Sequence, residues 1–298
     1  MQIGAIGEFG LIGRFKKQLK TDATVIRGTG DDCAVLALDT KRYQLFTCDM
    51  IVEGVDFVKK QDPYLIGRKA VAVSLSDIAA CCGLPKHCVI ALGLPGSADV
   101  RFVDRLFKGM RDIAQEFGVN IVGGDISRAP KLTVDVSMLG VVEKNRIALR
   151  DAARPGDVIC VSGSLGGSIR GKHLRFTPRV REARYLSANA KVHAMIDISD
   201  GLIQDLGHIL MQSNVGAMLY EELIPISTQA RDLEDALYSG EDFELLFTLS
   251  RTEAAKILKK KKGVFSPIGE IVHKKFGLML FDRRNRRHRL KSKGYRHF

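Results

Sequence analysis

The sequence predicts two α/β (α+β) domains with mixed sheets, and three observations lead to this fold class. The chain has 298 residues, of which 45% are apolar, and this is enough material for two hydrophobic cores. Strand-like runs alternate with helical stretches along the chain. A polar segment at 143–156, which ends in Pro-Gly, has strand-rich material on both sides. We therefore expect an N-terminal domain over residues 1–142 and a C-terminal domain over residues 143–298.

The period of the apolar residues places the individual elements along the chain. A long helix is expected at 64–82, where Gly83 and Pro85 close it, and further helices are expected at 98–117 and 200–213. Alternation of apolar and polar residues, clearest in LTVDVSM, predicts strands. The expected strands are 33–38, 43–52, 87–94, 132–142 and 157–164.

Composition favours a cytosolic globular protein. No apolar run reaches the roughly 18 residues that a membrane-spanning helix needs, and the N-terminus does not resemble a signal peptide. The six cysteines include no C-x-x-C pair, and Cys81 and Cys82 are adjacent. We therefore interpret the cysteines as small buried hydrophobic residues rather than as zinc ligands or disulfides.

The net charge of +12 is concentrated near the C-terminus. Residues 251–298 carry 16 Lys and Arg against three acids, so the rest of the chain is close to neutral. Such a region can meet nucleic acid or an anionic membrane, or it can be a solvated edge. No nucleic-acid-binding motif accompanies it, and the chain has no Trp for base stacking. We therefore expect neither nucleic acid nor a membrane as a partner.

Aspartates recur in five separate segments, beside Gly, Ser or the expected ends of elements. Each has an ordinary alternative explanation as a turn residue or a helix N-cap. Asp77 fits that explanation least, because helix spacing places it on a face of small apolar residues with no Lys or Arg three or four positions away. A buried carboxylate without a partner costs several kcal/mol, so we expect a cation beside it.

Oxygen ligands from several segments are what a hard cation such as Mg²⁺ requires, and Mg²⁺ in proteins commonly accompanies phosphate. The glycines at 123–124 and in SGSLGGS, residues 162–168, would let backbone N–H groups approach phosphate oxygens. The chain contains neither a P-loop nor the protein-kinase motifs. A phosphate-transferring enzyme of this sequence therefore has another architecture.

A series of motifs, in this order and spread over nearly the whole chain, closely resembles the thiamine-monophosphate kinase family of the AIR-synthase-like superfamily. The motifs are GEFGLIGRF, GDDCA, TCDMIVEGVDF, SDIAACCGLPK, GGDIS, LRDAARPGD, SGSLGGS, IDISDGL, SGEDFELLF and IGEI. The resemblance implies a two-domain AIR-synthase-like fold, with the N-terminal domains of two subunits pairing into a dimeric β-barrel core. It also implies direct transfer of a phosphoryl group from ATP to thiamine monophosphate, with several Mg²⁺ ions and no covalent phosphoenzyme.

The resemblance also implies roles for particular residues. The implied metal ligands are Asp32, Thr47, Cys48, Asp49, Asp77, Asp125, Asp197 and Asp200. The implied ATP-binding residues are Gly124, Asp125, Arg150 and Ser199. The implied residues for the thiamine portion of the acceptor are Asp56, Glu241 and Tyr295. No residue is implied as a general acid or base, because the acceptor oxygen is already anionic.

Three positions depart from the family pattern. Asp56 stands where the family commonly has His, Cys48 where it has Ser or Thr, and Tyr295 where it has Trp. An acid at position 56 still favours a cationic thiazolium, and Tyr295 keeps an aromatic face for stacking. Asp31, beside Asp32, has no implied role.

Two alternatives remain open from the sequence. The sister enzymes AIR synthase, selenophosphate synthetase and a hydrogenase-maturation protein resemble this chain in fold and in their Asp-rich ATP site, although GEFGLIGRF and EGVDF favour the thiamine branch. The other alternative is a catalytically silent nucleotide- or nucleic-acid-binding protein that uses the basic C-terminal region.

Overall fold

In the computed structural model, which describes residues 2–261, 263–291 and 294–295, two mixed β-sheets carry helices on their faces. One sheet holds the strands up to Glu143, and the other holds the strands from Val158 onward. This is the two-domain α/β architecture that the sequence predicts. Among the described residues, no helix is long and apolar enough to cross a bilayer. Of the basic C-terminal region, Lys262, Lys293 and Arg296 lie outside the described residues.

The first sheet has six strands in the order β1-β2-β3-β6-β4-β5. Its strands are β1 (Val25–Arg27), β2 (Ala34–Ala37), β3 (Arg42–Val52), β4 (Leu84–Leu94), β5 (Asn120–Arg128) and β6 (Thr133–Glu143). Strands β4 and β5 are parallel, and the other neighbours are antiparallel. Its helices are α1 (Gly7–Lys16), α2 (Pro63–Ala80) and α3 (Val100–Glu116).

Helix α2 is the central helix of the molecule. It begins where the carboxylate of Asp62 accepts a hydrogen bond from the N–H of Tyr64 at 3.0 Å, with Pro63 at the first helical position. Nearly all of its remaining residues are buried, because it packs against β3 and β6 on one side and against helices on the others. The helix ends at Ala80, two residues earlier than expected, and Pro85 lies inside β4 at an irregular register.

The face of the first sheet that lies away from α2, which we call the outer face, is open in this chain. Alternation along β3 directs Phe46, Cys48 and Met50 to this face, and Phe46 and Met50 are exposed. In the described part of the chain, β5 pairs with β4 alone, so its other edge is free. That edge carries Val122 and Ile126, which are 62% and 68% exposed.

The second sheet has seven strands in the order β13-β12-β9-β11-β7-β10-β8. Its strands are β7 (Val158–Ser162), β8 (Val192–Asp197), β9 (Val215–Tyr220), β10 (Leu245–Leu249), β11 (Phe265–His273), β12 (Leu278–Phe281) and β13 (Arg287–Arg289). Its helices are α4 (Lys172–Arg175), α5 (Val180–Asn189), α6 (Leu202–Ser213), α7 (Leu233–Tyr238) and α8 (Arg251–Lys260).

The two domains share a hydrophobic core. One cluster of buried side chains continues from α2 and the first sheet, through α5, to the face of the second sheet that carries Cys160 and Phe247. A second cluster lies on the opposite face of the second sheet, beneath α6 and α7. At the rim of the domain interface, Arg184 of α5 donates hydrogen bonds to Glu143 at 2.7 and 2.8 Å. The packing places the C-terminal end of α2 beside the end of β8.

Candidate active site

Three aspartates from distant parts of the chain meet where α2 contacts β8. Asp32 lies in the turn before β2, Asp77 in the last turn of α2 and Asp197 at the last residue of β8. Each offers one carboxylate oxygen, and these atoms all lie within 4.8 Å of one another. The packing of α2 against both sheets therefore brings together three of the residues that the sequence predicts as metal ligands.

Strand β3 adds Thr47 and Asp49 to this cluster. Its alternation directs both side chains toward α2, where the Thr47 hydroxyl donates to the Asp77 carboxylate. Ser74 of α2 donates to Asp49 Oδ2 at 2.8 Å, and Ser76 donates to Asp197 Oδ2 at 2.6 Å. Small hydroxyl side chains of one helix thus orient carboxylates that come from two different sheets.

The surroundings of these carboxylates oppose their ionisation. Burial raises the pKa of Asp197 to about 8 and that of Asp49 to about 6, and neighbouring carboxylates contribute to both shifts. Burial, followed by the charges of Asp49 and Asp197, raises the pKa of Asp77 well above its ordinary value. Buried, mutually repelling carboxylates with convergent oxygens are a donor set that suits a hard divalent cation.

Arg150, in the segment between the two domains, faces this cluster. Its Nη2 donates to Asp32 Oδ1 at 2.7 Å, and its Nε donates to Oδ2 at 3.2 Å. The backbone N–H of Arg150 donates to Asp31 Oδ2 at 3.4 Å. Burial and the charge of Asp32 raise the pKa of Asp31 to about 7. Asp31 therefore helps to hold the Arg150 segment beside the cluster.

Two predicted ligands lie on the outer face of the first sheet. Cys48 Sγ lies 3.2 Å from a carboxylate oxygen of Asp135, and the Ser137 hydroxyl lies 3.4 Å from the same sulfur. Asp125 is opposite Ala91 in the β4–β5 ladder and is exposed. Within one chain the structure does not bring these two side chains to the cluster around Asp77. Their role as metal ligands stays a prediction.

The expectation that the aspartates mark the ends of elements is wrong for two of them. Asp49 lies inside β3, and Asp125 lies inside β5. Asp200 precedes α6, which begins at Leu202 rather than at residue 200. The N–H groups of Asp200 and Gly201 both donate to the Asp205 carboxylate at 3.1 Å, so Asp205 holds the two residues that precede this helix.

The glycine-rich segments pack against protein. A Cβ on Gly124 would lie 1.8 Å from the carbonyl oxygen of Ile90, so this glycine permits the close approach of β5 to β4. The expectation that SGSLGGS presents its N–H groups to phosphate is wrong for two of its glycines. Gly166, at φ +90°, donates to Asp242 Oδ2 at 2.8 Å, and Gly163 donates to a backbone carbonyl at 3.3 Å.

A cavity of about 670 Å³ opens beside the carboxylate cluster, between the two domains. The cavity is lined by all three residues predicted to bind the acceptor. It is also lined by one predicted metal ligand from β3 and by two residues before α6 that are predicted to bind ATP or metal. These lining residues are Asp56, Glu241, Tyr295, Asp49, Ser199 and Asp200. Side chains with three different predicted roles therefore share one cleft.

Backbone hydrogen bonds hold the segments around this cavity together. The N–H of Glu241 donates to the carbonyl of Ser199 at 2.7 Å, and the N–H of Tyr295 donates to the carbonyl of Asp200 at 3.1 Å. The Asp56 carboxylate accepts a hydrogen bond from the N–H of Val52 at 2.7 Å. The aromatic ring and the two carboxylates are therefore held at the same cleft.

Sequence reasoning missed Lys69 and Glu8, which also line the cavity. A signal for Lys69 was present, because it lies two helical turns before Asp77 on the same face of α2. Positions three and four residues from Asp77 hold no Lys or Arg, so helix spacing around Asp77 did not single out Lys69. Glu8 belongs to the motif GEFGLIGRF, whose position over the cleft only the fold reveals.

Comparison with known proteins agrees with this architecture. Residues 30–142 match the family model of AIR synthase related protein, N-terminal domain, and residues 154–280 match that of AIR synthase related protein, C-terminal domain. The fold and the carboxylate-lined cleft thus define an AIR synthase related protein.

Curated relatives that match nearly the full chain identify the family within this class. The thiamine-monophosphate kinase of Buchnera aphidicola subsp. Acyrthosiphon pisum is 37% identical, over 98% of this chain and 98% of that protein. The thiamine-monophosphate kinase of Aquifex aeolicus is 33% identical, over 89% of this chain and 95% of that protein. The chain belongs to the thiamine-monophosphate kinase family, as the motifs predict.

Solved structures support the same fold. AaThiL complexed with AMPPCP and TMP matches with a TM-score of 0.87 at 31% identity, over 100% of this chain and 99% of that one. The hydrogenase maturation protein HypE in complex with ATP matches with a TM-score of 0.74 at 22% identity, over 86% of this chain and 87% of that one. The similarity to HypE, at 22% identity, shows a shared fold alone.

Proposed function

We propose that this protein transfers a phosphoryl group from ATP to thiamine monophosphate and so forms thiamine diphosphate and ADP. The observation that carries this proposal is the single cleft in which Asp56, Glu241 and Tyr295 lie beside Asp49 of the carboxylate cluster. Family membership and the complex of the related AaThiL with AMPPCP and TMP support the same activity.

Phosphoryl transfer to thiamine monophosphate requires no general acid or base from the protein. The acceptor is a phosphate oxygen that is already anionic, so no general base is needed and no covalent phosphoenzyme forms. The main obstacle is the repulsion between two anionic reactants, which alignment and charge neutralisation reduce. Within this chain we assign Arg150 and Ser199 to ATP. The roles of Gly124 and Asp125 in binding ATP stay predictions, because within one chain β5 carries them away from the cluster around Asp77.

The carboxylate cluster fits Mg²⁺, because convergent oxygens of desolvated carboxylates are its preferred ligands. The residues that would hold it within this chain are Asp32, Thr47, Asp49, Asp77, Asp197 and Asp200. Bound there, Mg²⁺ would neutralise phosphate charge and help to align the transferred group. The hydroxyls of Ser74 and Ser76 keep their carboxylates oriented for this role.

The acceptor side of the cleft suits a cationic heteroaromatic group. Asp56 and Glu241 supply negative charge, and Tyr295 supplies an aromatic face. Asp56 is itself held by the N–H of Val52, so its carboxylate is fixed rather than free to rotate. An acid at this position favours the thiazolium and offers nothing to the acceptor phosphate.

We also infer that the chain forms a homodimer through the outer face and the β5 edge of the first sheet. Exposed apolar side chains on a free sheet edge favour pairing with another chain, and Val122 and Ile126 provide such an edge. A second copy seated on this surface is the dimeric barrel that the family resemblance implies. Cys48 and Asp125 would then lie at the subunit interface.

The deciding experiment measures ADP release from Mg-ATP with four acceptor conditions: thiamine monophosphate, thiamine, the AIR synthase substrate and no acceptor. We expect ADP only with thiamine monophosphate, matched by an equal amount of thiamine diphosphate. Turnover with the AIR synthase substrate instead would assign the chain to a sister activity. Folded protein that binds ATP and turns over none of them would contradict the proposal.

A further inference from the structure

Lys69 is a buried cation at the floor of the cleft. Only 1% of its side chain is exposed, and it lies on α2 between apolar residues. Among the described residues that line the cavity, it is the one basic side chain. A buried ammonium is costly unless it is paired and hydrogen-bonded, so its partners indicate what it does.

The Lys69 ammonium contacts groups from both domains. It donates to the backbone carbonyl of Asp56 at 2.7 Å and forms an ion pair with the carboxylate of Glu241. His173 Nδ1 of α4 lies 3.2 Å away. Of its three N–H groups, one is bound by the Asp56 carbonyl and one by the Glu241 carboxylate, and the His173 ring packs beside them. Lys69 therefore reaches the substrate through its partners rather than by direct contact.

Among the partners of Lys69, Glu241 has a strained backbone and a carboxylate that lines the cavity. Its backbone lies in the left-handed region, at φ +65°, which is strained for a residue other than glycine. Ser168 donates to its carbonyl at 2.6 Å, and His173 Nδ1 lies 3.2 Å from its carboxylate. Burial alone would raise the pKa of Glu241, but the hydrogen bond from His173 and the charge of Lys69 lower it. Its environment thus keeps the carboxylate charged in one orientation.

We propose that Lys69 is a positioning residue for the acceptor, which ties the Glu241 carboxylate to the Asp56 segment across the cleft between the domains. This inference rests on the proposed function, since it assumes that both segments bind the thiamine portion. The Glu241 carboxylate keeps its position relative to the Asp56 segment because a single ammonium binds that carboxylate and the backbone carbonyl of Asp56. Without it, the Glu241 carboxylate and the Asp56 segment lose their common anchor.

Steady-state kinetics of Lys69→Met test this role, because Met keeps the volume and removes the charge. We expect the KM for thiamine monophosphate to rise about tenfold or more, while the KM for Mg-ATP changes by less than about twofold. Arg68→Met is the matched control, because Arg68 is a cation on the same helix whose partners, Glu116 and the carbonyl of Phe176, do not line the cavity. The control should leave both constants unchanged.

The double variant Lys69→Met/Glu241→Gln separates positioning from a general structural effect. If Lys69 acts through Glu241, the double variant has the same KM for thiamine monophosphate as Glu241→Gln alone. Its Tm should also exceed that of Lys69→Met, because it no longer buries an uncompensated carboxylate. Multiplicative effects on KM in the double variant would overturn the proposal.

The outcomes for the two proposals differ. An active wild-type enzyme whose Lys69→Met variant keeps its KM for thiamine monophosphate would overturn the Lys69 proposal alone. A wild-type protein that does not convert thiamine monophosphate would overturn the proposed function, and the Lys69 proposal would fall with it. A fall in Tm of Lys69→Met with unchanged KM would likewise assign Lys69 to structure and not to the acceptor.

Discussion

Arg150 binds the carboxylate of Asp32 through two nitrogens on one edge of its guanidinium, with Nη2 at 2.7 Å and Nε at 3.2 Å. This two-point ion pair joins the segment between the domains to the turn before β2. Its position explains how Asp31 and Asp32 can lie side by side before a buried strand. One carboxylate is paired with Arg150, and burial and its neighbour raise the pKa of the other to about 7.

The first prediction concerns Arg150. Arg150→Met should raise the KM for Mg-ATP by about 10- to 100-fold, because the variant loses a fixed positive charge beside the predicted phosphate site. It should also lower the Tm of the metal-free protein, because Asp32 loses its counter-ion in a buried cluster. Arg146→Met is the matched control, since Arg146 lies in the same segment and its side chain pairs with Glu143 at 3.8 Å. Equal KM values for both variants would contradict the assignment.

The second prediction concerns Asp77. Asp77→Asn should reduce kcat at least about 100-fold, because the amide removes a negative ligand oxygen from the predicted Mg²⁺ site. The same change should leave the Tm of the metal-free protein equal or higher, because it removes a buried carboxylate whose surroundings oppose ionisation.

Thermal unfolding with and without Mg²⁺ separates these effects. Wild-type protein should gain Tm on addition of Mg²⁺, and Asp77→Asn should gain less. A variant that turns over near the wild-type rate would remove Asp77 from the metal site. A variant that is inactive and also unfolds at a much lower temperature would assign Asp77 to stability.

Much of the fold follows from patterns that are local in the sequence. Alternation predicted β3, β4 and β6 within three residues of their ends, because each has one covered face. The burial of α2 followed from its small apolar residues. The first residues of α6 and β4 differ from the expected ones, because contacts with other parts of the structure set where these elements begin. Asp205 holds the two residues that precede α6, and β4 begins early because it pairs with β6.

The site was predictable only in part, for a physical reason. Residue type and motif order indicate which side chains bear chemistry, and five predicted metal-site residues do meet beside α2. Which face of a sheet a strand residue occupies depends on packing, so the placement of Cys48 and Asp125 on the outer face could not be read from their motifs. The partners of Lys69 come from both domains, and no local pattern encodes such a contact.

The third prediction concerns the free edge of β5. Ile126→Lys should shift the protein from dimer to monomer in sedimentation or light scattering, because a charge on an apolar edge opposes strand pairing. Met211→Lys is the matched control, since Met211 is 71% exposed and lies on α6, away from this sheet. A wild-type protein that is already monomeric at micromolar concentration would contradict the dimer, as would an Ile126→Lys variant that keeps the wild-type mass.

The fourth prediction is a pH dependence set by Asp242, which lies beneath the glycine-rich loop. Burial raises the pKa of Asp242 to about 7, and its Oδ1 has no hydrogen-bond partner among the described residues, with Lys172 Nζ 3.8 Å away. The folded pKa lies above the unfolded value of about 4, so the folded state binds this proton more tightly. The stabilisation from this proton is complete below pH 4 and is lost as the pH rises through 7.

Asp242→Asn cannot ionise, so it should escape this loss while its amide oxygen still accepts the N–H of Gly166. The Tm of the variant minus that of the wild type should therefore increase between pH 5.5 and pH 8.5, by about 2–4 °C for each kcal/mol involved. Asp104→Asn, on the exposed surface of α3, controls for the loss of one negative charge. A Tm difference that shrinks with rising pH would show that Lys172 compensates the ionised carboxylate, and that Asp242 is a stabilising anion within this loop.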